Sequence, residues 1–444
     1  MTALYSRLLY QLRQFLRLSP DPSIHPQVRE HFRRNFFVNT MDGAFWMLGD
    51  SFVSVATILP VFASTLTDSP IIIGLVPALI NAGWFIPQLF MAGYVKQLPR
   101  KLPFARIMAA VERAPFLLLP LTAFLLPWLP KSVALILFII GVTLRGFASG
   151  MVALPWQEVI ASVIPSAVRS RFFGISRTLA RIFAVFGSIA ASLILGAFSY
   201  PNNYGISFLF GAVFIWVSFF FFIRTIEPDP LPTVNDKVEV KKKLISIDLS
   251  DFKSILKRDV NFRKYLASRS LFQLGNMATS FFAVYGIKQF SLGDQQAGIF
   301  SAFLFTSSIF GFFLWGIFGD RIGPRMILII SDLLQLVVLV LAILAPAVWF
   351  FYLVFLILGF AQAGLIIGEL ILGMELGTEE DRPTYLGLAR TIPGIFILIA
   401  PIIGGTLVNW IGYRMMFVIA IFMTVVGIIY LLLLRERKQL SSQV

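Results

Sequence analysis

Residues Gly316 to Arg325 read Gly-Ile-Phe-Gly-Asp-Arg-Ile-Gly-Pro-Arg and lie between two long apolar runs. The glycines allow two helices to come close together at a membrane surface. Asp320 can accept hydrogen bonds from the free N–H groups of a helix end. Arg321 and Arg325 can pair with lipid phosphates or with acids in neighbouring loops. These residues are therefore typical of a short loop that joins two membrane-spanning helices.

The composition of the chain excludes an ordinary soluble protein. Of the 444 residues, 57% are hydrophobic and 14% are charged, whereas about 25% are charged in soluble proteins. The absence of Cys excludes a fold held together by disulfides. Because backbone polar groups in lipid must be satisfied internally, each apolar run that can cross a bilayer is predicted to be a helix. The runs lie near 36–62, 71–95, 104–127, 132–156, 172–198, 205–225, 264–287, 297–319, 326–346, 349–373, 385–409 and 415–434.

One long polar segment divides these runs into six and six. We therefore predict an all-α polytopic membrane protein with twelve transmembrane helices in two six-helix halves. The N-terminal half comprises residues 35–226 and the C-terminal half residues 264–434. The segment 227–263 is predicted to be a cytoplasmic loop between them.

Lysine and arginine residues of the loops lie mainly on one side of the predicted membrane. The other side holds Lys131, Lys288 and Arg414. By the positive-inside rule we expect the tails 1–34 and 435–444 in the cytoplasm and the protein in the cell (inner) membrane. The net charge of +14 then faces anionic membrane lipids, which we expect as partners, and no nucleic-acid partner is expected.

The N-terminal tail has the pattern of an amphipathic helix. On a helical wheel Leu4, Leu8 and Leu12 share one side, and Arg7 and Arg13 lie on the other. This arrangement favours a helix that lies in the membrane interface. The alternative is a disordered tail.

The two halves share short matches in sequence. At a shift of 213 residues, the Gly-Phe-Ala that begins at Gly146 coincides with the one that begins at Gly359. At a shift of 226 residues, the Leu-Gly-Asp that begins at Leu48 coincides with the Leu-Gly-Asn that begins at Leu274. Both matches keep the order of the spans. They indicate that the halves arose by duplication of one six-helix unit.

The chain resembles the major facilitator superfamily in the signature of residues 316–325, the six-plus-six layout and the long central loop. The resemblance covers about residues 30–435. The equivalent loop after the second span, Met91 to Lys101, lacks the acid of the signature. The resemblance implies a central cavity lined by the first and fourth spans of each half, with gates formed by the second and fifth spans.

Asp50 and Arg145 are the first candidates for function, because the repeat places the uncharged Asn276 and Leu358 opposite them. Ionisable groups within a membrane span are costly and therefore indicate function. Asp50 is suited to proton uptake and release, or it forms a permanent ion pair with Arg145. Arg145 either holds an anionic group of the substrate or a proton-carrying acid, or it has a structural role.

Other polar side chains are candidates for the same substrate and coupling site. Asn276, Gln273 and Gln362 suit hydrogen bonds to a neutral solute, or they simply join helices. Glu369 is either a cavity group or part of the inner gate. Trp46 can stack against a sugar or a flat drug.

A second set of charged residues is assigned to the cytoplasmic gate or to the structure beside it. Arg177 and Arg390 coincide in the repeat, as do Arg169 and Arg382, which indicates a role in the shared scaffold. The set consists of Glu112, Glu158, Arg169, Arg177, Asp320, Arg321, Arg325, Asp332, Glu375, Arg382 and Arg390.

These features predict a secondary active transporter that moves a small solute by alternating access, with the proton as coupling ion. We expect a monomer. Export of drug-like compounds and uptake of sugars or other metabolites both stay open. The sequence contains no Gly-x-x-x-x-Gly-Lys-Ser/Thr loop, which argues against a pump driven by ATP. With no Cys and with His25 and His31 in the tail, an enzyme, a metal centre and a cofactor are not expected. A non-transporting sensor or scaffold is the remaining alternative.

Overall fold

A computed structural model describes residues 25–229, 255–375 and 382–434 of the chain. The helices before residue 229 are α1 (Pro26–Ser51), α2 (Ile58–Leu66), α3 (Pro70–Lys96), α4 (Leu102–Arg113), α5 (Leu118–Leu125), α6 (Lys131–Val163), α7 (Ser166–Ala197) and α8 (Asn202–Phe222). The later helices are α9 (Val260–Gly275), α10 (Phe282–Gln289), α11 (Gln295–Ile322), α12 (Pro324–Leu344), α13 (Trp349–Glu375) and α14 (Arg382–Leu432). The predicted interfacial helix of the N-terminal tail lies outside the described residues, as does most of the central loop.

The described helices account for twelve passes through a membrane. Nine helical segments within the described ranges are long and apolar enough to cross on their own. One of them, in α14, holds two passes, because Gly412 at φ +81° turns the chain between the eleventh and the twelfth. The first pass consists of α1 and α2, and the seventh of α9 and α10. Both are interrupted helices. α1 is long but carries several charged residues, and α9 has 16 residues, so neither has a sufficiently long apolar segment.

The break in the first span differs from the uninterrupted run predicted at 36–62. α1 ends at Ser51, and α2 begins only at Ile58. The intervening residues are Phe-Val-Ser-Val-Ala-Thr. Valine and threonine lose side-chain freedom in a helix, and hydroxyl groups offer the backbone alternative partners. Within the break, the Thr57 hydroxyl donates a hydrogen bond to the Ser54 hydroxyl (2.9 Å).

The seventh span breaks at the equivalent place. α9 ends at Gly275 and is followed by a 3₁₀ turn over Asn276–Ser280. Gly49 and Gly275, which coincide in the repeat, also make equivalent contacts. A Cβ atom on Gly49 would lie 2.6 Å from the Gly211 carbonyl oxygen of α8, and one on Gly275 would lie 2.9 Å from the Ala420 carbonyl oxygen of α14. Each glycine thus lets the first span of its half approach the last.

The two halves meet at one end of the molecule. There α7 packs against α11, and α3 packs against α14. Ser192 donates a hydrogen bond to the Gln295 carbonyl oxygen (2.9 Å), and Asn203 donates one to Asp294 (3.2 Å). Thr57 of the first span also hydrogen-bonds with a serine of the eighth, Ser301. We call this region the closed end.

The opposite end, which includes the start of α1, is open between the halves. Added Cβ atoms on Gly174, Gly387 and Gly394 would find no atom of another part of the described protein within 4 Å. Large apolar side chains such as Ile366 and Ile395 are exposed. The buried apolar residues follow the same division. The largest cluster contains residues of both halves, including Phe62 and Phe281, whereas the smaller clusters each belong to one half.

Candidate functional site

A cavity lies between the two broken spans. Its volume is about 160 Å³, close to the ~150 Å³ of a cavity that holds benzene. Its polar lining consists of amide and hydroxyl groups, from Asn81 of α3 and from Gln273, Asn276, Thr279 and Ser280 of the seventh span. Its apolar lining comes from Val55, Ala56, Pro77, Ile397, Ala400 and Pro401. The cavity therefore draws on both halves and has no ionisable group in its wall.

Asp50 and Arg145 form an ion pair beside the break in the first span. The side chains are 16% and 4% exposed, respectively. Arg145 also donates a hydrogen bond to the carbonyl oxygen of Val53 (3.2 Å), which the broken helix leaves without a helical partner. The ring of Phe116 lies 4.8 Å from the guanidinium carbon. The two side chains are thus paired in this conformation, and proton uptake by Asp50 stays a prediction.

The seventh span has an uncharged version of this arrangement. Asn276, which the repeat places opposite Asp50, accepts a hydrogen bond from Thr279 (2.6 Å) and donates one to Gln273 (3.5 Å). Two of the predicted solute ligands, Gln273 and Asn276, are thereby placed together in the cavity wall. Trp46 and Gln362 are half-buried and do not line this cavity.

A second cluster of charges is buried inside the N-terminal half. Arg113 donates hydrogen bonds to Glu112 (2.9 Å) and to Asp42 (3.2 Å). Ser149 binds Glu112 and Ser218 binds Asp42, at 2.9 and 2.6 Å. Arg113 was missed in the sequence analysis, although its position next to Glu112 in an apolar run was a usable signal. Two carboxylates here share one guanidinium.

A third cluster occupies the C-terminal half. Arg269 of α9 forms a fully buried ion pair with Asp332 of α12. Its guanidinium also lies 3.7 Å from the carboxylate of Glu369, which is 36% exposed. Again two carboxylates share one guanidinium. Glu112 and Asp332, both assigned to the gate, thus pair within their own halves in this conformation.

Two further gate candidates bind helix ends. Arg169 donates hydrogen bonds to the carbonyl oxygens of Ala161 (3.0 Å) and Ile164 (3.3 Å), which close α6. Arg325 donates to those of Leu431 (3.2 Å) and Leu432 (2.6 Å), at the end of α14. A positive side chain at a helix C-terminus satisfies free carbonyls and the helix dipole.

The other gate candidates lie toward the open end. Four have exposed side chains: Glu158, Arg177, Arg321 and Arg390. They are available to approach the opposite half if that end closes. The side chains of Asp320, Glu375 and Arg382 lie outside the described part of the structure.

Comparison with known proteins shows the fold and a family match in the C-terminal part of the chain. The sequence model of the Major Facilitator Superfamily matches residues 265–444. Solved structures with the same fold include the nucleoside transporter NupG, with a TM-score of 0.65 at 13% identity over 91% of this chain and 99% of that one. The C-terminal part of the chain therefore matches this family in sequence, and the chain as a whole shares the fold of NupG. No curated protein matches it in sequence.

Two other major facilitator structures are similarly related to the chain. A D-xylose–proton symporter has a TM-score of 0.65 at 14% identity, over 92% of this chain and 99% of that one. A bacterial homologue of the human lysosomal transporter Spinster, in an inward-facing and unoccupied conformation, has a TM-score of 0.64 at 14% identity, over 92% and 97%. These proteins are transporters, and the chain shares their fold as a multi-pass membrane protein. The expected fold is thereby confirmed, and the match of residues 265–444 confirms the predicted resemblance to the major facilitator superfamily.

Proposed function

We propose that the chain is a secondary active transporter that moves a small solute by alternating access and uses protons as the coupling ion. The observation that carries this proposal is the cavity between two broken spans, in a molecule closed at one end and open at the other. A path of this shape gives a bound solute access to one side only.

The distribution of Lys and Arg supports a location in the cell membrane with both termini in the cytoplasm. The open end includes the start of α1, so in this orientation the structure corresponds to an inward-open state. Transport then requires the outer contacts, such as that between Ser192 and Gln295, to separate. The exposed gate residues, among them Arg177 and Arg390, would approach the opposite half at the same time.

We propose that proton coupling works by breaking the ion pair of Asp50 and Arg145, which is formed in this conformation. Its partial exposure allows water from the open end to reach the carboxylate. If Asp50 takes up a proton, it loses its attraction to Arg145, and the guanidinium also anchors the broken helix at Val53. Protonation would thereby change the packing of the first span against the fourth.

Flux measurements on the purified protein in liposomes test the proposal. Labelled carboxylates, sugars, amino acids and amphipathic drugs are offered with and without an inward proton gradient. We expect one class to accumulate and the gradient to increase its accumulation. Equal flux with and without the gradient would show that transport is not coupled to protons. The absence of specific flux under every gradient would favour the sensor or scaffold alternative.

A further inference from the structure

We propose that the transported solute carries a single anionic group and that Arg181 binds this group. The proposal names the class of solute for the transport function proposed above and rests on that function.

Arg181 lies near the middle of α7, at the contact between the two halves. Its guanidinium carbon is 5.4 Å from the centre of the Phe305 ring and 5.7 Å from that of Phe312, and both rings belong to α11. Within the described ranges, no carboxylate oxygen lies within 4.0 Å of this guanidinium. Aromatic faces attract a cation but do not neutralise its charge.

The balance of charge distinguishes this site from the other two clusters. Asp50 is already paired with Arg145, so within the described ranges no carboxylate at ion-pair distance serves Arg181. Around Arg113 and around Arg269, by contrast, two carboxylates share one guanidinium. Positive charge inside a membrane is costly unless a counter-charge arrives. A solute with one negative charge supplies the counter-ion that Arg181 lacks.

The surroundings of Arg181 provide a route for such a solute. Arg177 lies one turn earlier on the same face of α7 and is exposed at the open end. It can attract an anion from water and pass it to Arg181. The guanidinium group binds carboxylate or phosphate oxygens through two parallel hydrogen bonds. The cavity beyond the first-span break has only uncharged lining and suits the uncharged remainder of the solute.

The same arrangement links the anion to the proton. A proton from water at the open end adds to the carboxylate of Asp50 and removes its negative charge. Arg145 and Arg181 then both lack a counter-ion, so an anion is bound more strongly. Binding of the proton and of the anion therefore favour each other, as symport requires.

Binding to the full-length protein in nanodiscs tests the proposal. The probes are benzoate, lactate and inorganic phosphate, with benzamide and lactamide as neutral analogues and chloride as a simple anion. We expect at least one organic carboxylate or phosphate to raise the unfolding temperature, and the amides to have no effect. Loss of a charged hydrogen-bond partner in Arg181→Gln should weaken that binding by roughly tenfold to a hundredfold. Arg414→Gln removes an exposed arginine elsewhere and should bind as the wild type does.

Equal binding of amides and carboxylates would overturn the proposal. Equal anion binding by Arg181→Gln and Arg414→Gln would also overturn it. A response to chloride alone, or to no anion in the panel, would also overturn it. If Arg181→Gln does not fold, Asp50→Asn gives a second test, because removal of the competing carboxylate should strengthen anion binding; weaker binding would contradict the proposal. Anion binding without flux would contradict transport alone, whereas flux of a neutral solute without anion binding would contradict this inference alone.

Discussion

At the scale of single residues, the charged clusters inside the membrane differ in burial and in the number of opposite charges. The clusters around Arg113 and Arg269 are almost sealed, apart from the partly exposed Glu369. Asp50 and Arg145 lie beside a helix break, and the side chain of Asp50 is partly exposed. This position makes their ion pair the best placed of the three to change during transport.

The first prediction concerns Asp50. Asp50→Asn keeps the size of the side chain but cannot exchange a proton, so we expect loss of proton-driven accumulation with exchange of solute across the membrane retained. Flux in proteoliposomes under a pH gradient and in counterflow measures the two separately. Glu30→Gln, an exposed carboxylate on α1, is the matched control and should leave both unchanged. Accumulation by Asp50→Asn at the wild-type level would show that Asp50 is not the coupling group.

The second prediction concerns Arg113. Its removal leaves Asp42 and Glu112 buried without their shared cation. Breaking a buried ion pair in this way costs about 3–5 kcal/mol. Arg113→Ala should therefore lower the unfolding temperature in detergent strongly, whereas Arg321→Ala, at an exposed position, should have little effect. Equal unfolding temperatures for the two variants would contradict a structural role for the cluster.

The repeat directed attention to Asp50 and Arg145, because a charge present in only one half stands out when the halves are aligned. The contacts of Glu112 and Asp332 could not be predicted in the same way. Arg113 is next to Glu112 in the sequence, but the pairing of Arg269 with Asp332 is identified only when the helices are packed together. Pairing within a half and pairing between halves use the same residue types, so the sequence does not distinguish them.

At the scale of elements, the two broken spans shape the cavity. The first break leaves backbone carbonyls such as that of Val53 available, and Arg145 binds it. The break in the seventh span places Asn276 and Thr279 in the cavity wall. Irregular backbone within a membrane is tolerated where it is buried in protein or lines a cavity. The breaks are therefore features of the site rather than defects of the helices.

The third prediction concerns the glycines beside these breaks. An alanine at Gly49 or Gly275 would place its Cβ atom against a backbone carbonyl oxygen, which cannot move aside as a side chain can. Overpacking of this kind costs about 1–3 kcal/mol. Both variants should unfold at lower temperature than the wild type. Gly174→Ala, with open space around the added methyl group, is the control; an equally large effect there would contradict the explanation by close approach.

The number of spans follows from the sequence, because length and apolarity identify a membrane helix. The breaks were not predicted, since residues 52–57 are as apolar as the helix around them. The equivalence of Gly49 and Gly275 was visible as a match at a constant shift. Its physical reason, close approach of the first span to the last, required the folded structure.

At the scale of the whole molecule, the closed end joins the halves and the open end separates them. Transport by alternating access requires the two ends to exchange these states. The six-plus-six layout and the sidedness of Lys and Arg are properties of the sequence. The conformation is not a property of the sequence alone, because the proposed mechanism requires one sequence to form both states with similar free energies.

The most direct test of alternating access is a reversible cross-link at the closed end. The chain contains no native Cys, so introduced pairs can be studied without background. A Cβ atom on Gly196 would lie 3.3 Å from the Cβ atom of Gln295, near the range for a disulfide. A matched pair within the N-terminal half is Gly141 and Leu118, whose Cβ atoms would lie 3.5 Å apart.

The measurement is the flux of the solute found in the liposome screen, before and after oxidation of each pair. With Gly196→Cys and Gln295→Cys, oxidation should stop transport and a reductant should restore it. With Gly141→Cys and Leu118→Cys, oxidation should leave transport unchanged. Undiminished transport by the fully cross-linked Gly196–Gln295 variant would contradict the account, because its closed end could no longer open.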